Sequence, residues 1–431
     1  MHRLEIQLDF GGVHAARALG TLVADGPRTY FSFDPSFLAN PLPISPFAIA
    51  PSEQLVEHAD RAFDYLPGFV YDAMPDGWGR LMQDRGFARL GVARDRITPL
   101  DRLAAVGSSA IGALTFAPAE SLESRDDDWT WTSDLAAIAD HANRLYHGSA
   151  EDVLPQLLAG GGSPGGARPK VLAAVRFGSG GSAEVFAGAA PDLRGAAPKW
   201  PDGFDPWIIK FPTDEDGAEA GVVEAVYSTM AKNAGIDVPL THLFAADNER
   251  RYFGIRRFDR HGPGGNERLH MHTFGGVLHA DYRVPSCDYR ELLRVTMRLT
   301  KDMRAVEEAF RRMVFNVLAH NRDDHVRNFA FLMDANGAWR LSPSYDLTYS
   351  RGMNGEHTTS IAGEGMSPTL EHFRTIATEA SIAWPRAKDV IDQVDAALGQ
   401  WRRLATETAL SAAEVTRLER IFAKQRATAR L

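Results

Sequence analysis

His320-Asn321-Arg322-Asp323-Asp324-His325-Val326-Arg327-Asn328 sets an aspartate, Asp323, five positions ahead of an asparagine, Asn328. Ser342-Pro343-Ser344-Tyr345-Asp346-Leu347 then supplies a second acid, Asp346. Transfer of a phosphoryl group from a nucleotide asks for such a set. One carboxylate accepts or orients the hydroxyl proton, while an amide oxygen and a second carboxylate hold Mg²⁺ over the phosphates. A charged loop that merely contains Asp and Asn has the same pattern, so the rest of the chain must supply a nucleotide site.

Two local devices bring these polar residues together. Val306, Phe310, Met313, Val314, Val317 and Leu318 recur at helical spacing and deliver the chain to His320. Phe329-Ala330-Phe331-Leu332, Asn336-Gly337 and Trp339-Arg340-Leu341 form a hairpin pattern, which returns Asp346 beside Asn328. Protein kinases place an Asp and an Asn at this spacing on their catalytic loop, with a metal-binding Asp beyond.

Upstream, Leu158-Ala159-Gly160-Gly161-Gly162-Ser163-Pro164-Gly165-Gly166-Ala167-Arg168-Pro169-Lys170 is a glycine-rich loop with basic residues, followed by an apolar strand from Val171 to Val175. Such a loop lets backbone N–H groups approach phosphates without Cβ clashes. It lacks the Gly-x4-Gly-Lys-Ser/Thr spacing and by itself also fits a plain connection. Trp207-Ile208-Ile209-Lys210-Phe211-Pro212 carries a lysine within an apolar strand. A buried ammonium needs an anion. In a kinase that anion is a nucleotide phosphate, together with a glutamate of the next helix. That helix is expected from about Gly217 to Asn233, with Glu224 or Glu219 in it. Thr241 to Ala245 and Arg251 to Ile255 predict an antiparallel pair around Asp247-Asn248-Glu249. Phe258-Asp259-Arg260 then leaves that sheet where a kinase has its hinge between lobes.

The first part of the chain predicts short strands. Leu4, Ile6, Leu8 and Phe10 share one face, Tyr30-Phe31-Ser32-Phe33 is another strand, and 40–46 is a Pro-rich connection. Residues 53–90 are expected to be helical, with Met74-Pro75-Asp76-Gly77-Trp78-Gly79-Arg80 as a turn that opens a helix. Arg102 to Gly107 is followed by a closing strand at Ile111 to Phe116, 120–128 is a polar linker, and Ser133 to His147 a helix. Beyond the hinge the chain is mainly helical, ending in two or three helices over 380–431.

A chain of 431 residues holds two or three lobes. Its net charge of −9 excludes a protein that coats nucleic acid by bulk charge. Cys287 is the only cysteine, which excludes internal disulfides and Cys-based metal sites. The start of the chain lacks the apolar core of a signal peptide, and no apolar run approaches a membrane span. A cytoplasmic protein with no membrane partner is expected.

With these residues assembled, the chain resembles the HipA family of bacterial serine/threonine kinase toxins over nearly its whole length. Pro75-Asp76-Gly77 and the stretch from Arg102-Leu103 to Gly112-Ala113-Leu114 look like the family's first region. Gly166-Ala167-Arg168-Pro169-Lys170 looks like its phosphate loop, Ile208-Ile209-Lys210 its ATP-lysine strand, and Arg257-Phe258-Asp259-Arg260 its hinge. Asn321 to Phe329, followed by Tyr345-Asp346, is similar to its catalytic signature.

The resemblance implies an α+β, two-lobed protein-kinase-like fold. A strand-rich subdomain over 1–125 would precede a mixed α/β N-lobe over 126–275 and a mainly α-helical C-lobe over 276–431. It implies Asp323 as catalytic base and Asn328 and Asp346 as Mg²⁺ ligands. ATP would be bound by Gly165, Gly166, Ala167, Lys170, Lys210, His325 and the backbone at Phe258, with Glu224 paired to Lys210. Ser163 falls where family members carry an autophosphorylated serine that silences the kinase, and a phosphate there adds about −2 charge where ATP phosphates sit. The implied cofactors are ATP and Mg²⁺. The implied partners are a helix-turn-helix, HipB-like antitoxin, operator DNA through it, and a protein substrate such as an aminoacyl-tRNA synthetase.

Two stretches depart from the family. Arg168-Pro169 replaces a Gln-Glu pair, and Leu269-His270-Met271-His272-Thr273-Phe274 stands where many members carry Gln-Glu-Asp. His270, His272 and His279 lack an assigned partner and are read as structural rather than metal-binding. Three other functions use the same residues: a small-molecule phosphotransferase, a silent kinase-fold binding module, and a metal-dependent hydrolase built from His320, Asp323, Asp324 and His325.

Overall fold

Alternation of apolar and polar residues builds the first sheet. The computed structural model describes residues 3–119, 122, 132–149, 153–154, 156–158, 166–179, 182–187, 203–246 and 250–430. In it β1 (Arg3–Leu8) buries Leu4, Ile6 and Leu8 and leaves Arg3 and Glu5 outside. With β2 (Arg17–Asp25), β3 (Arg28–Phe33), β4 (Val56–His58) and β5 (Leu114–Ala117) it forms an antiparallel sheet of order β4-β3-β2-β1-β5. The helical run expected over 53–90 is broken. Residues 56–58 pair with β3 as an edge strand, and the long helix begins only at Gly77 and ends at Arg89. Helix Pro99–Val106 starts at a capping box in which Thr98 and Asp101 bond reciprocally.

The second sheet is also antiparallel. It contains β6 (Lys170–Phe177), β7 (Ala183–Ala187), β8 (Asp205–Lys210), β9 (Thr241–Ala245) and β10 (Arg251–Arg256), in the order β7-β6-β8-β10-β9. Val171, Ala173, Val175, Trp207 and Ile209 bury in one core with helix Leu135–Tyr146 and with Trp78 and Met82 of helix Gly77–Arg89. The two-residue period that turns these side chains inward sends Lys170 and Lys210 to the opposite face, where register places them directly side by side.

Helix Ala220–Asn233 stands on the remaining lobe, burying Val222, Val226, Tyr227 and Met230 in its core, and the Tyr227 hydroxyl donates to the Ala319 carbonyl at 2.7 Å. That core is built largely by helices Tyr289–Thr300, Met303–Leu318, Trp384–Leu398 and Ala412–Ala429. Helix Met303–Leu318 is buried on all sides from Ala309 onward, so its end is a fixed platform for the loop at His320. The expected hairpin pairs Ala330–Met333 with Trp339–Leu341, and strand His270–Thr273 adds to its other edge. His270 to Thr273 of the stretch Leu269 to Phe274 are therefore part of this small sheet.

The segment leaving β10 is locked by charge. Asp259, 3% exposed, meets Arg257 at 2.7 Å and Arg260 at 2.6 Å and accepts the Gly112 N–H at 2.8 Å. The two guanidiniums also donate to the carbonyls of Ala110 and Gly112, just ahead of β5. Burial would raise the Asp259 carboxyl, but Arg257 and Arg260 outweigh it and hold the group well below the usual carboxylate range. A depressed carboxylate contributes stability that is complete above its unfolded pKa and lost as pH falls through its lower folded one. Removing it leaves two buried cations unpaired. Asp259→Ala is expected to cost on the order of 3–5 kcal/mol, read as a lower urea midpoint. The gap between variant and wild type should be the same at pH 6 and pH 8 and should shrink only below about pH 4. An unmoved midpoint would show that the clamp does not stabilise the fold.

Candidate active site

Lys210, at the end of β8, is the electrostatic centre of the cleft. Its ammonium bonds the Glu224 carboxylate at 2.6 Å and also the Asp346 carboxylate. Of the two glutamates available in the helix after β8, Glu224 makes this pair. Glu219, the N-cap of that helix, instead accepts from the Ser411 backbone N–H and hydroxyl. Burial disfavours the Lys210 ammonium, yet Asp346 and Glu224 overcome that and raise its pKa above the ordinary lysine value. Burial likewise pushes Asp346 up, but Lys210 and Lys170 hold it down at about 2. Glu224 ends above its ordinary value because burial outweighs the pull of Lys210. Lys170, buried beside Lys210, has its pKa lowered, first by burial and then by Lys210 against the opposing pull of Asp346. Two ammonium groups thus share one face of the sheet with Glu224 and Asp346.

The loop after helix Met303–Leu318 is set by residues on either side of Asp323. His320 adopts a left-handed conformation, φ 55°, and its Nδ1 meets the Ser350 carbonyl at 3.0 Å, turning the chain out of the helix. Asn321 donates to Asn316 at 3.0 Å, and Asn316 donates to the Tyr289 hydroxyl at 3.0 Å. That hydroxyl donates in turn to Asp324 at 2.8 Å. Asp324 also receives His357 Nδ1 and the Thr358 N–H, each at 2.8 Å, and is 1% exposed. Asp324 is therefore the buried anchor of the loop, and its neighbour Asp323 is the acid presented at the surface. Sequence reasoning missed this division of labour. Adjacent aspartates look alike until the buried Tyr289 and His357 choose one of them.

Asp323 is exposed as a residue, yet the protein crowding one side of its carboxyl raises its pKa, and Asp346 adds to this against the pull of His325. Asn328 donates its Nδ2 to the Asp323 carbonyl at 2.7 Å, which commits the N–H end of the amide to the loop. Asp346 sits at φ 53°, and the preceding Tyr345 donates its hydroxyl to the Arg327 carbonyl at 2.6 Å. Phe258 stacks on Tyr345 with ring centroids 5.3 Å apart, so the hinge meets the segment carrying Asp346. His325 accepts the Arg327 N–H at 3.2 Å and lies against Tyr282.

Of the glycine-rich loop, Gly166 and Ala167 lie just ahead of β6 and Lys170 opens it, whereas Ser163 and Gly165 fall outside the described residues. Arg168, one of the departures from the family, pairs with Asp216 at 2.6 Å. Among the described residues no group of three or more His, Cys, Asp or Glu is placed to hold a metal. His272 bonds Asp72 at 2.6 Å, His270 meets the Ile44 carbonyl at 3.3 Å, and His279 accepts the Gly68 N–H at 3.0 Å. These three histidines join the first subdomain to the helical lobe. Asp76 and Arg327 also enter the cleft, paired at 2.8 Å. Neither stood among the candidate site residues, since each lies in a motif whose role depends on a contact across the whole chain.

Comparison with known proteins agrees with this architecture. The model of the HipA-like C-terminal domain matches residues 162–401, and that of the HipA N-terminal domain matches 13–117. A protein of Sinorhizobium fredii, provisionally named a kinase, is 30% identical over 156 residues, covering 33% of this chain and 36% of its own length. A Haemophilus influenzae protein named in the same way is 29% identical over 154 residues, 33% of this chain and 44% of its own length. The chain thus spans less than half the length of these two relatives. The HipA of Shewanella oneidensis MR-1, solved in complex with HipB and its operator DNA, covers 99% of this chain and 96% of its own at 15% identity, with a TM-score of 0.67. The fold is that two-lobed, kinase-like α+β architecture with its additional N-terminal subdomain.

Removing the loop's buried anchor tests its role. Asp324→Ala leaves the Tyr289 hydroxyl, His357 Nδ1 and the Thr358 N–H without their acceptor. The expected loss of stability is on the order of 3 kcal/mol, measured by denaturant titration. A variant as stable as wild type would show that those donors find other partners and that Asp324 does not anchor the loop.

Proposed function

The chain belongs to the HipA family, and on that premise we propose that it is an ATP- and Mg²⁺-dependent serine/threonine protein kinase acting as the toxin of a toxin–antitoxin pair. The observation that carries this reading is the bridge of Lys210 to both Glu224 and Asp346, beside the loop that holds Asp323 and Asn328. A lysine tied to a helix glutamate and a metal-binding aspartate is the phosphate-holding arrangement of protein kinases.

The residues fit the cofactors. Asp346 remains ionised at neutral pH and Asn328 keeps its amide oxygen for a cation, so these two would hold Mg²⁺. Lys170 and Lys210 would meet the phosphates, with Gly165, Gly166 and Ala167 alongside, and the backbone at Phe258 would hold the adenine. The bound metal supplies charge neutralisation at the transferred phosphoryl group. Asp323 would orient the acceptor hydroxyl and take its proton. Autophosphorylation of Ser163 is the off-switch in this reading. The partners in this reading are a HipB-like helix-turn-helix antitoxin and, through it, operator DNA; the Shewanella oneidensis HipA is solved in a complex with HipB and operator DNA. An aminoacyl-tRNA synthetase is the candidate target. No described helix is long and apolar enough to cross a membrane, and the proposed setting is the cytoplasm.

Purified protein incubated with γ-labelled ATP and Mg²⁺ should label itself at Ser163, and Asp323→Asn should reduce labelling by about 10²–10⁴-fold. Undiminished labelling of the variant would overturn the role of Asp323. Because the base must be ionised and its pKa is raised, activity should fall as pH drops through a value above the ordinary aspartate pKa of about 3.9. A profile flat to pH 4 would assign the proton to another group. Label passing only to a small-molecule acceptor would make the protein a metabolite phosphotransferase.

Lys210→Ala is expected to weaken ATP binding at least tenfold by calorimetry, corresponding to about 1.4 kcal/mol or more. Unchanged affinity would remove Lys210 from the nucleotide site.

A further inference from the structure

Pro75-Asp76-Gly77 belongs to the first subdomain, far in sequence from both functional loops, yet Asp76 touches each of them. One carboxylate oxygen accepts the N–H of Gly166 in the phosphate loop. The other accepts from Arg327 at 2.8 Å, and Arg327 lies between Asp323 and Asn328 on the catalytic loop. Both side chains are nearly enclosed, at 14% and 11% exposure. The Arg327 guanidinium lies over the rings of Tyr71 and Tyr282, at 5.4 and 5.2 Å from their centroids.

The chemistry of the position makes this contact informative. Asp76 is the N-cap residue of helix Gly77–Arg89, where an aspartate ordinarily accepts an N–H of the first turn. Here the side chain makes no capping bond. The carboxylate is directed away from its own helix toward the two loops. Its neighbours reinforce the attachment. The Trp78 N–H donates to the Gly166 carbonyl at 3.2 Å, and the Trp78 indole donates to the Lys170 carbonyl at 2.8 Å. Gly77, at φ 31°, lies so close that a Cβ there would stand 2.5 Å from Ala167 Cα. The turn at 75–78 is thus fitted to the backbone of 166–170 and charged toward Arg327.

We propose that Asp76 is a positioning residue that couples the phosphate loop to the catalytic loop, making the N-terminal subdomain a working part of the phosphotransfer site. This inference rests on the phosphoryl-transfer reading. Asp76 touches no reacting atom. It sets Gly166 and, through Arg327, the span between Asp323 and Asn328 in one frame. A displacement of about 1 Å between such groups can cost about 10²-fold in rate.

The test uses the full chain. Asp76→Ala removes no helix cap but leaves the largely buried Arg327 without its partner, so its thermal midpoint should fall and its kinetics are read well below that midpoint. Its kcat should fall about 10²-fold, its KM for ATP should rise, and amide exchange at Gly166 to Lys170 should quicken. Asp76→Glu should recover part of kcat. Arg327→Ala should mimic Asp76→Ala, and the double variant should be no slower than the slower single one, as coupled residues require. An unchanged kcat, or losses that multiply in the double variant, would overturn the proposal. If Asp76→Ala does not fold, Asp76→Asn carries the same expectations with the side-chain volume kept. If wild-type protein transfers no phosphoryl group while Asp323→Asn is equally inert, the kinase reading fails. Exchange then decides the coupling by itself: wild-type rates at Gly166 to Lys170 in the Asp76 variant overturn it.

Discussion

One ammonium shared by two carboxylates holds the cleft together. Lys210 comes from the second sheet, Glu224 from the helix that stands on the C-terminal lobe, and Asp346 from the segment after the hairpin. Lys210's strand packs in one core, while the helix of Glu224 and the segment of Asp346 pack in another, so the bridge is formed only when the two units are assembled correctly. A charge buried without partners costs several kcal/mol, and Lys210 is only 20% exposed. The chain therefore has to bring these elements together or leave a cation stranded in an apolar strand. The neighbouring Lys170 raises the stakes, because two like charges paired across adjacent strands repel. Asp346 and Glu224 answer that repulsion, and a phosphate group can do the same.

The first subdomain is usually the part of such a molecule that a kinase-based reading leaves unexplained. Here it grips the rest at separated points. Ala110 and Gly112 bind the guanidiniums of Arg257 and Arg260 at the hinge, and Asp72 binds His272 and Thr273 of the small sheet. Asp76 binds the two loops of the cleft. Met333 of the hairpin also packs into the subdomain's own apolar core. Contacts of this number and burial resist rigid-body sliding between lobes, because each buried ion pair loses its partner when the bodies move apart. The cleft's geometry is consequently a property of three packed units.

Much of this was readable from the sequence, for identifiable reasons. The loop at Asp323, the hairpin and the strand at Lys210 are written in local patterns: helical spacing before His320, an Asn-Gly turn, and a lysine preceded by two isoleucines. The structure brings Asp323, Asn328, Asp346, Lys170, Lys210 and Glu224 into one cleft, and it decides between Glu219 and Glu224. The strand at 56–58 was obscured because it is short and gains its stability from pairing with Phe31 and Tyr30, which no window around it reveals. Asp324 and Asp76 were obscured for a similar reason. Their partners lie at Tyr289 and His357 in one case and at Gly166 and Arg327 in the other. Charge position can be read locally, but charge pairing cannot.

Asp346 shows how such long-range pairing and local strain support one another. A non-glycine residue in the left-handed region costs on the order of 1 kcal/mol or more and persists only where its surroundings overdetermine it. Four constraints meet at this residue. The Tyr345 hydroxyl is fixed on the Arg327 carbonyl, the Ser344 N–H on the Asp237 carbonyl, the Tyr345 ring on Phe258, and the carboxylate itself on Lys210. These draw on the catalytic loop, the connection after helix Ala220–Asn233, the hinge and the second sheet. An extended conformation at Asp346 would relieve the backbone but redirect the carboxylate away from Lys210, leaving that ammonium with Glu224 alone. Since a hydrogen bond between charged groups contributes about 1.5–3 kcal/mol, the strained arrangement wins. The same balance makes the position sensitive to every element that touches it, which is why the acid that bonds Lys210 is also where the packing units of the cleft converge.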